Sequence, residues 1–297
     1  MSDRVSPWHG VMVATALPLR DDLTVDLDRY AEHCRWLVDN GCDGIVPNGS
    51  LGEYQTLTPE ERARVMETAV EAVGGPNVMA GAGAYGAAES RAWAERAGEA
   101  GCGSVLLLPP NAYRAGEDAV LDHYREVAKA GVPVVAYNNP YDTKVDLTPA
   151  LLARLFDEGL IVAVKEFSGD PRRAYEIAEL APRLDLLVGS DDVLLELAVA
   201  GAVGWVAGYP NALPASSVEL YRAATAGDLG AALPLYRSLH PLLRWDSKTE
   251  FVQAIKLSMD IAGRHGGPCR PPRRPLGAEQ EAVVRAATEK ALEEGLR

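Results

Sequence analysis

Along the chain, short runs of apolar and β-branched residues recur about every 20 to 35 positions, each followed by a stretch whose apolar residues stand three or four apart. The first pattern is that of a buried strand and the second that of an amphipathic helix. Their alternation predicts repeated βα units around a parallel sheet. Eight runs read as strands, at 11–15, 44–47, 78–81, 104–108, 133–137, 161–165, 186–188 and 204–207. Eight units within about 200 residues predict a closed (β/α)8 barrel, the TIM-barrel form of the α/β class, rather than an open doubly wound sheet. Helix-start chemistry agrees: "TPEE" at 58–61 offers Thr58 as N-cap, Pro59 in the first turn and Glu61 to close a capping box, and "LTPALLARLF" at 147–156 repeats the Thr-Pro start. After Ala226 the pattern is helical only, through "LGAALPLYRSLHPLLRW", "KTEFVQAIKLSMDIAG" and "AEQEAVVRAATEKALEEG". The expectation is a barrel catalytic domain over 1–226 and a three-helix extension over 227–297.

One strand ends unusually. In "IVAVKEFSGD", at 161–170, a lysine closes a run as apolar as a buried strand, although lysine is among the residues least often buried. Side chains alternate along a strand, which puts Ile161, Ala163 and Lys165 on one face and Val162 and Val164 on the other. With the valines against the outer helices, Lys165 points into the barrel at the C-terminal end of its strand, where barrel enzymes keep their active sites. The preceding run, "VPVVAYNNP", places Tyr137 at the same level, and neighbouring strands lie about 4.8 Å apart. An amine desolvated by apolar walls is a usable nucleophile toward a carbonyl, and a phenol beside it can carry protons. The second strand leads into "PNGSLGE", at 47–53, whose glycines around Ser50 let successive backbone amides turn toward one point, a nest suited to a carboxylate. Amine, phenol and nest together describe a site for a 2-oxo acid.

Composition narrows the alternatives. A formal net charge of −13 repels phosphate backbones and anionic surfaces, so neither nucleic acid nor a membrane is an expected partner. No apolar stretch approaches the roughly 20 residues of a membrane span and the first ten residues lack a signal-peptide core, which leads to a cytoplasmic expectation. Cys34, Cys42, Cys102 and Cys269 stand apart with no C-x-x-C spacing, and the histidines form no ligand pair, so the reading includes no metal and no cofactor. "GAGAYG", at 81–86, fits a dinucleotide glycine pattern, but "SVLLLPP" stands where that fingerprint wants an acid, and a small-residue turn is the better reading. Glu53 reads as a structural acid satisfying loop amides rather than as a catalyst.

Taken in order, "GSLGE" at 49–53, "YNNP" at 137–140, "KEFSGD" at 165–170 and "GSDD" at 189–192 resemble the motifs of the dihydrodipicolinate synthase and N-acetylneuraminate lyase family of class I aldolases, with the resemblance running over essentially the whole chain. It implies a Schiff base on Lys165, Tyr137 as general acid and base, Ser50 in a proton relay, Gly49 and Leu51 lining the carboxylate loop, and backbone contacts to substrate from Val206. It also implies a homotetramer, a dimer of dimers, in which a second tyrosine reaches across an interface; Tyr113, in "PPNAYR", is the candidate.

Two positions depart from the synthase pattern. Where synthases carry a carboxylate-holding arginine two residues after the Y-N-x-P proline, this chain has Asp142, and Leu51 replaces a second hydroxyl residue after Ser50. An acid at 142 repels aspartate semialdehyde. "YNNP", "GSDD", "GWVAG" and "PLLRWDSKTEFVQAIKL" look more like the catabolic branch, including proteins similar to hydroxyproline-pathway deaminases. The expectation is a Schiff-base lyase acting on pyruvate or a related 2-oxo acid. The alternatives are a true dihydrodipicolinate synthase, a deaminase or dehydratase of the hydroxyproline pathway, or a barrel that has lost turnover and binds ligands.

Overall fold

The computed structural model describes residues 6–297. All eight predicted strands are present: β1 (Gly10–Ala14), β2 (Gly44–Val46), β3 (Met79–Gly81), β4 (Ser104–Leu107), β5 (Val134–Asn138), β6 (Ala163–Glu166), β7 (Asp185–Val188) and β8 (Gly204–Ala207). Every pairing is parallel, in the order β2-β1-β8-β7-β6-β5-β4-β3, and a parallel bridge between Ile45 and Val78 joins the two ends of that order. The eight strands therefore form a nearly closed barrel, with that single bridge across the β2–β3 seam among the described residues.

Helices alternate with the strands. α1 (Leu27–Asp39), α2 (Pro59–Val73), α3 (Ala87–Glu99) and α4 (Glu117–Ala128) follow the first four. After β5 come a single helical turn, α5 (Pro140–Thr143), and then α6 (Pro149–Asp157). α7 (Arg172–Leu180), α8 (Leu194–Val199) and α9 (Pro214–Thr225) follow β6, β7 and β8. The three further helices expected from the sequence are α10 (Leu229–Leu243), α11 (Phe251–Ile261) and α12 (Ala278–Glu293). The capping box at α2 forms as expected, with Thr58 Oγ1 accepting from Glu61 N at 3.2 Å and Glu61 Oε2 accepting from Thr58 N at 3.0 Å.

The core has two shells, because every strand is covered on both faces. Outside, β-strand residues such as Val11, Ile45, Val134, Ala136 and Val164 pack against the helices. Inside, Met12, Val46, Met79, Leu106, Val135, Tyr137, Ala163, Leu187 and Val206 fill the barrel. The alternation expected for 161–165 holds only from Ala163 onward. Ile161 belongs to the outer shell and Val162 packs against the inner one, since the chain bends at Val162 before β6 begins.

The glycine run at 81–86 has a packing explanation. A Cβ on Gly81 would stand 2.2 Å from the carbonyl oxygen of Asn48, so β3 passes the loop after β2 at a separation only glycine permits. All four cysteines are free thiols, three of them buried. No helix among the described residues is long and apolar enough to cross a membrane.

Candidate active site

A cavity of about 530 Å³ opens at the C-terminal ends of the strands. Its floor carries Lys165, Tyr137 and Val206, and its walls come from Gly49, Ser50, Leu51 and Asp142 together with Tyr54 and Asp246. The structure thus gathers all the sequence-nominated residues except Tyr113, which is 60% exposed and does not line this chain's own cavity.

The β5–β6 register pairs Tyr137 directly with Lys165. Lys165 is 6% exposed, and its Nζ lies 4.1 Å from the centroid of the Tyr137 ring and 5.6 Å from that of Phe167. The amine thus rests on aromatic faces rather than against a carboxylate. Burial lowers its pKa from the ordinary lysine value, opposed by the charges of Asp246 and then Asp191. Burial raises the Tyr137 phenol, with Asp246 acting in the same direction, so at neutral pH it is a protonated donor. Asn139 Nδ2 donates to its oxygen at 3.4 Å.

Local structure fixes these groups. Glu166, next to the lysine and buried, accepts from Asn138 Nδ2 at 3.0 Å and from Ser168 N at 2.6 Å, and Arg173 Nε stands 3.4 Å away. The second motif residue of "YNNP" and the second of "KEFSGD" therefore lock β5 to β6 from below, leaving Tyr137 and Lys165 to face the cavity. Asn139 caps α5, accepting from Asp142 N at 3.2 Å and donating to Asp142 Oδ2 at 2.8 Å, which holds the Asp142 carboxylate at the cavity wall.

The loop after β2 is a tight turn closed by Glu53 N donating to Ser50 O at 3.1 Å and Tyr54 N to Gly49 O at 3.4 Å. Two non-glycine residues, Asn48 (φ 59°) and Glu53 (φ 54°), hold left-handed conformations at its ends. Among the described residues no acceptor takes the amides of Ser50 or Leu51, which leaves them available to an anion in the cavity. Glu53 is structural, as expected: its Oε1 accepts from Lys256 Nζ at 2.7 Å and its Oε2 from Arg270 N at 2.9 Å. This buried pair ties the loop to α11.

Three cavity groups escaped sequence reasoning. Tyr54 lies one residue past "GSLGE" and lines the wall beside Asn111. Asp191, in "GSDD", is fully buried beneath the cavity and accepts from Trp205 Nε1 at 2.9 Å, Gly208 N at 3.1 Å and Tyr209 N at 2.9 Å. Burial pushes it up to about 6, and it stays ionised at neutral pH. Asp246 comes from the link between α10 and α11, where no strand register marks it; among the described residues its carboxylate accepts only from Asp191 N, to Oδ2 at 3.3 Å.

The sequence profile of the Dihydrodipicolinate synthetase family matches residues 7–291. The 4-hydroxy-tetrahydrodipicolinate synthase of Methanothrix thermoacetophila is 34% identical over 281 residues, 94% of this chain and 95% of that protein. The crystal structure of dihydrodipicolinate synthase from Aquifex aeolicus superposes with a TM-score of 0.90 at 29% identity, over 97% of this chain and 99% of that one. YagE, a prophage protein of the dihydrodipicolinic acid synthase family from E. coli K12 solved in complex with pyruvate, gives a TM-score of 0.88 at 25% identity, over 97% and 99% of the two chains. This chain belongs to the dihydrodipicolinate synthetase family and is a lyase of the class I aldolase type.

Proposed function

We propose that the enzyme condenses Lys165 with the keto group of pyruvate or a related 2-oxo acid and processes the imine by a catabolic reaction. The observation that carries this reading is the desolvated amine of Lys165, 4.1 Å above the Tyr137 ring in a cavity of about 530 Å³. Addition of a neutral amine to the carbonyl, loss of water and uptake of one proton give an iminium that draws electrons from the neighbouring carbon. Tyr137, kept protonated, serves the proton transfers, with Ser50, which lines the same cavity, as relay. The amides of the Ser50 turn, with Gly49 and Leu51 around them, receive the substrate carboxylate, and Val206 borders it from β8. The pyruvate held by YagE supports the 2-oxo acid assignment.

Asp142 favours a substrate other than aspartate semialdehyde, because the wall position from which a synthase presents an arginine carries a carboxylate here. Tyr113, exposed on a single chain, fits the family's homotetramer, where a tyrosine of one subunit completes a neighbour's relay. Incubation with pyruvate and borohydride followed by peptide mass spectrometry tests the reading: a reduced adduct on Lys165 is expected, and its absence would overturn it. Turnover of aspartate semialdehyde with pyruvate is expected to be far below that of the best substrate in a panel of 2-oxo acids and cyclic imines. Equal turnover would remove the role given to Asp142.

A further inference from the structure

Two buried carboxylates, Asp246 and Asp191, act on Lys165 without forming an ion pair with it among the described residues, and their surroundings differ. Asp191 spends both oxygens on fixed donors: Oδ1 takes Trp205 Nε1 and Oδ2 takes the amides of Gly208 and Tyr209. With both oxygens engaged by three donors and no surface on the cavity, Asp191 is not placed to exchange a proton with a cavity group. Asp246 has a single donor among the described residues, Asp191 N at 3.3 Å on Oδ2. Its Oδ1 lies over Gly208, where a Cβ would stand 2.7 Å away, so that glycine opens the room the carboxylate occupies. Asp246 is buried yet lines the cavity with Lys165 and Tyr137, and its charge acts on both.

The link that carries Asp246 is anchored on either side. Ser247 Oγ donates to Asp192 Oδ1 at 2.7 Å and sits 2.9 Å from Ser190 Oγ, and Asp246 N donates to Leu243 O at 3.0 Å. The carboxylate is thus positioned by the helical extension, not by a barrel strand.

We propose that Asp246 is the proton carrier for Lys165 during imine formation. The inference rests on the Schiff-base reading above. Across the cavity they both line, Lys165 ammonium gives up one proton to the Asp246 carboxylate through intervening water, and the freed amine adds to the keto carbon while the C=O π pair moves to oxygen. Asp246 returns its proton to that oxygen. A second proton leaves nitrogen for the hydroxyl, through Tyr137, and water departs, so ammonium plus ketone becomes iminium plus water. The Asp246 anion then faces the iminium charge. The other charged or titratable groups around Asp246 are Asp191 and Asp192 after β7, Tyr209 after β8 and Tyr137 on β5, with Asp142 and Lys248 on the same cavity; Asp191 does not line the cavity, and Asp142, held through Oδ2 by Asn139, is not among the charges that act on Lys165.

The test compares wild type with Asp246→Asn, which keeps an oxygen for the Asp191 amide. Two quantities are read against pH by mass spectrometry: Lys165 modification by formaldehyde and borohydride, and the rate of the pyruvate–borohydride adduct. Losing the neighbouring anion is expected to move Lys165 titration about one pH unit or more toward acid. The adduct rate at its plateau is expected to fall about 100-fold or more. Unchanged titration with an adduct rate within twofold of wild type overturns the proposal and leaves the Schiff-base reading standing. Lack of any wild-type adduct removes that reading instead, and the formaldehyde titration still decides whether Asp246 governs the Lys165 proton. If Asp246→Asn does not fold, Asp246→Ala supplies the decision: recovery of the adduct rate on adding formate supports a proton carrier, and no recovery in a folded variant overturns it.

Discussion

Two lysines are almost fully buried in this chain, and their partners separate their tasks. Lys256 donates to Glu53 Oε1 at 2.7 Å and to Pro268 O at 2.8 Å, so it is an ion pair with its hydrogen bonds made. Lys165 has aromatic faces and more distant acids around it, which leaves its amine free to react. Substituting each by methionine should give opposite phenotypes. Lys165→Met is expected to fold and to lose the pyruvate adduct entirely. Lys256→Met strands a buried Glu53 carboxylate and is expected to cost about 3 kcal/mol or more, read by urea unfolding, while a lysine able to form the adduct is still present. Tyr137→Phe keeps the ring beneath the amine and removes its proton. Turnover and the rate of the borohydride adduct are both expected to fall about 100-fold or more, and an adduct rate equal to wild type would place Tyr137 after imine formation.

At the scale of the element, the barrel was legible because each strand carries its own signal: a short β-branched run, then a helical period. The Tyr137–Lys165 pairing followed from alternation and strand spacing alone, and the register matches it. The reading failed where the chain leaves regular structure. The bend at Val162 breaks the alternation one residue before β6, and Asp246 stands in a link between two helices, so neither period points it at the cavity. Nor could spacing reveal that Glu53 meets a lysine 203 residues away. Backbone packing behind the site gives a prediction at this scale. A Cβ on Gly189, just after β7, would lie 2.4 Å from Glu166 O and 3.0 Å from Lys165 Cγ. Gly189→Ala is expected to destabilise by about 1 to 3 kcal/mol and to lower the adduct rate through displaced Lys165, both measurable on one preparation. A variant with wild-type adduct rate and stability would show that β7 yields freely at this point.

Across the whole molecule, a polar seam runs beside the ladder where the last strand meets the first. Asn211, after β8, donates to Ala14 O and Gly208 O at 2.7 Å each, while its Oδ1 accepts from Ala16 N at 3.0 Å and from His33 Nε2 at 2.9 Å. Because Asn211 Oδ1 is an acceptor, Nε2 carries the proton of a neutral imidazole, and Nδ1 is buried without a partner among the described residues. Burial holds His33 down to about 4 from the ordinary 6.5. In the unfolded chain the ring takes a proton near 6.5, so below that pH the unfolded state binds more protons and stability falls. The loss levels off once the folded ring also titrates near 4, and by then amounts to about 3 kcal/mol. Many carboxylates also titrate in the lower part of this range, so the histidine's share is isolated by difference. His33→Gln keeps a donor for Asn211 and removes the titration. Between pH 7 and pH 5 the wild type is expected to lose about 2 kcal/mol more than this variant in urea melts. Equal losses in the two proteins would mean that His33 is hydrated or protonated in the folded barrel, and that the seam between the first and last strands is open to water.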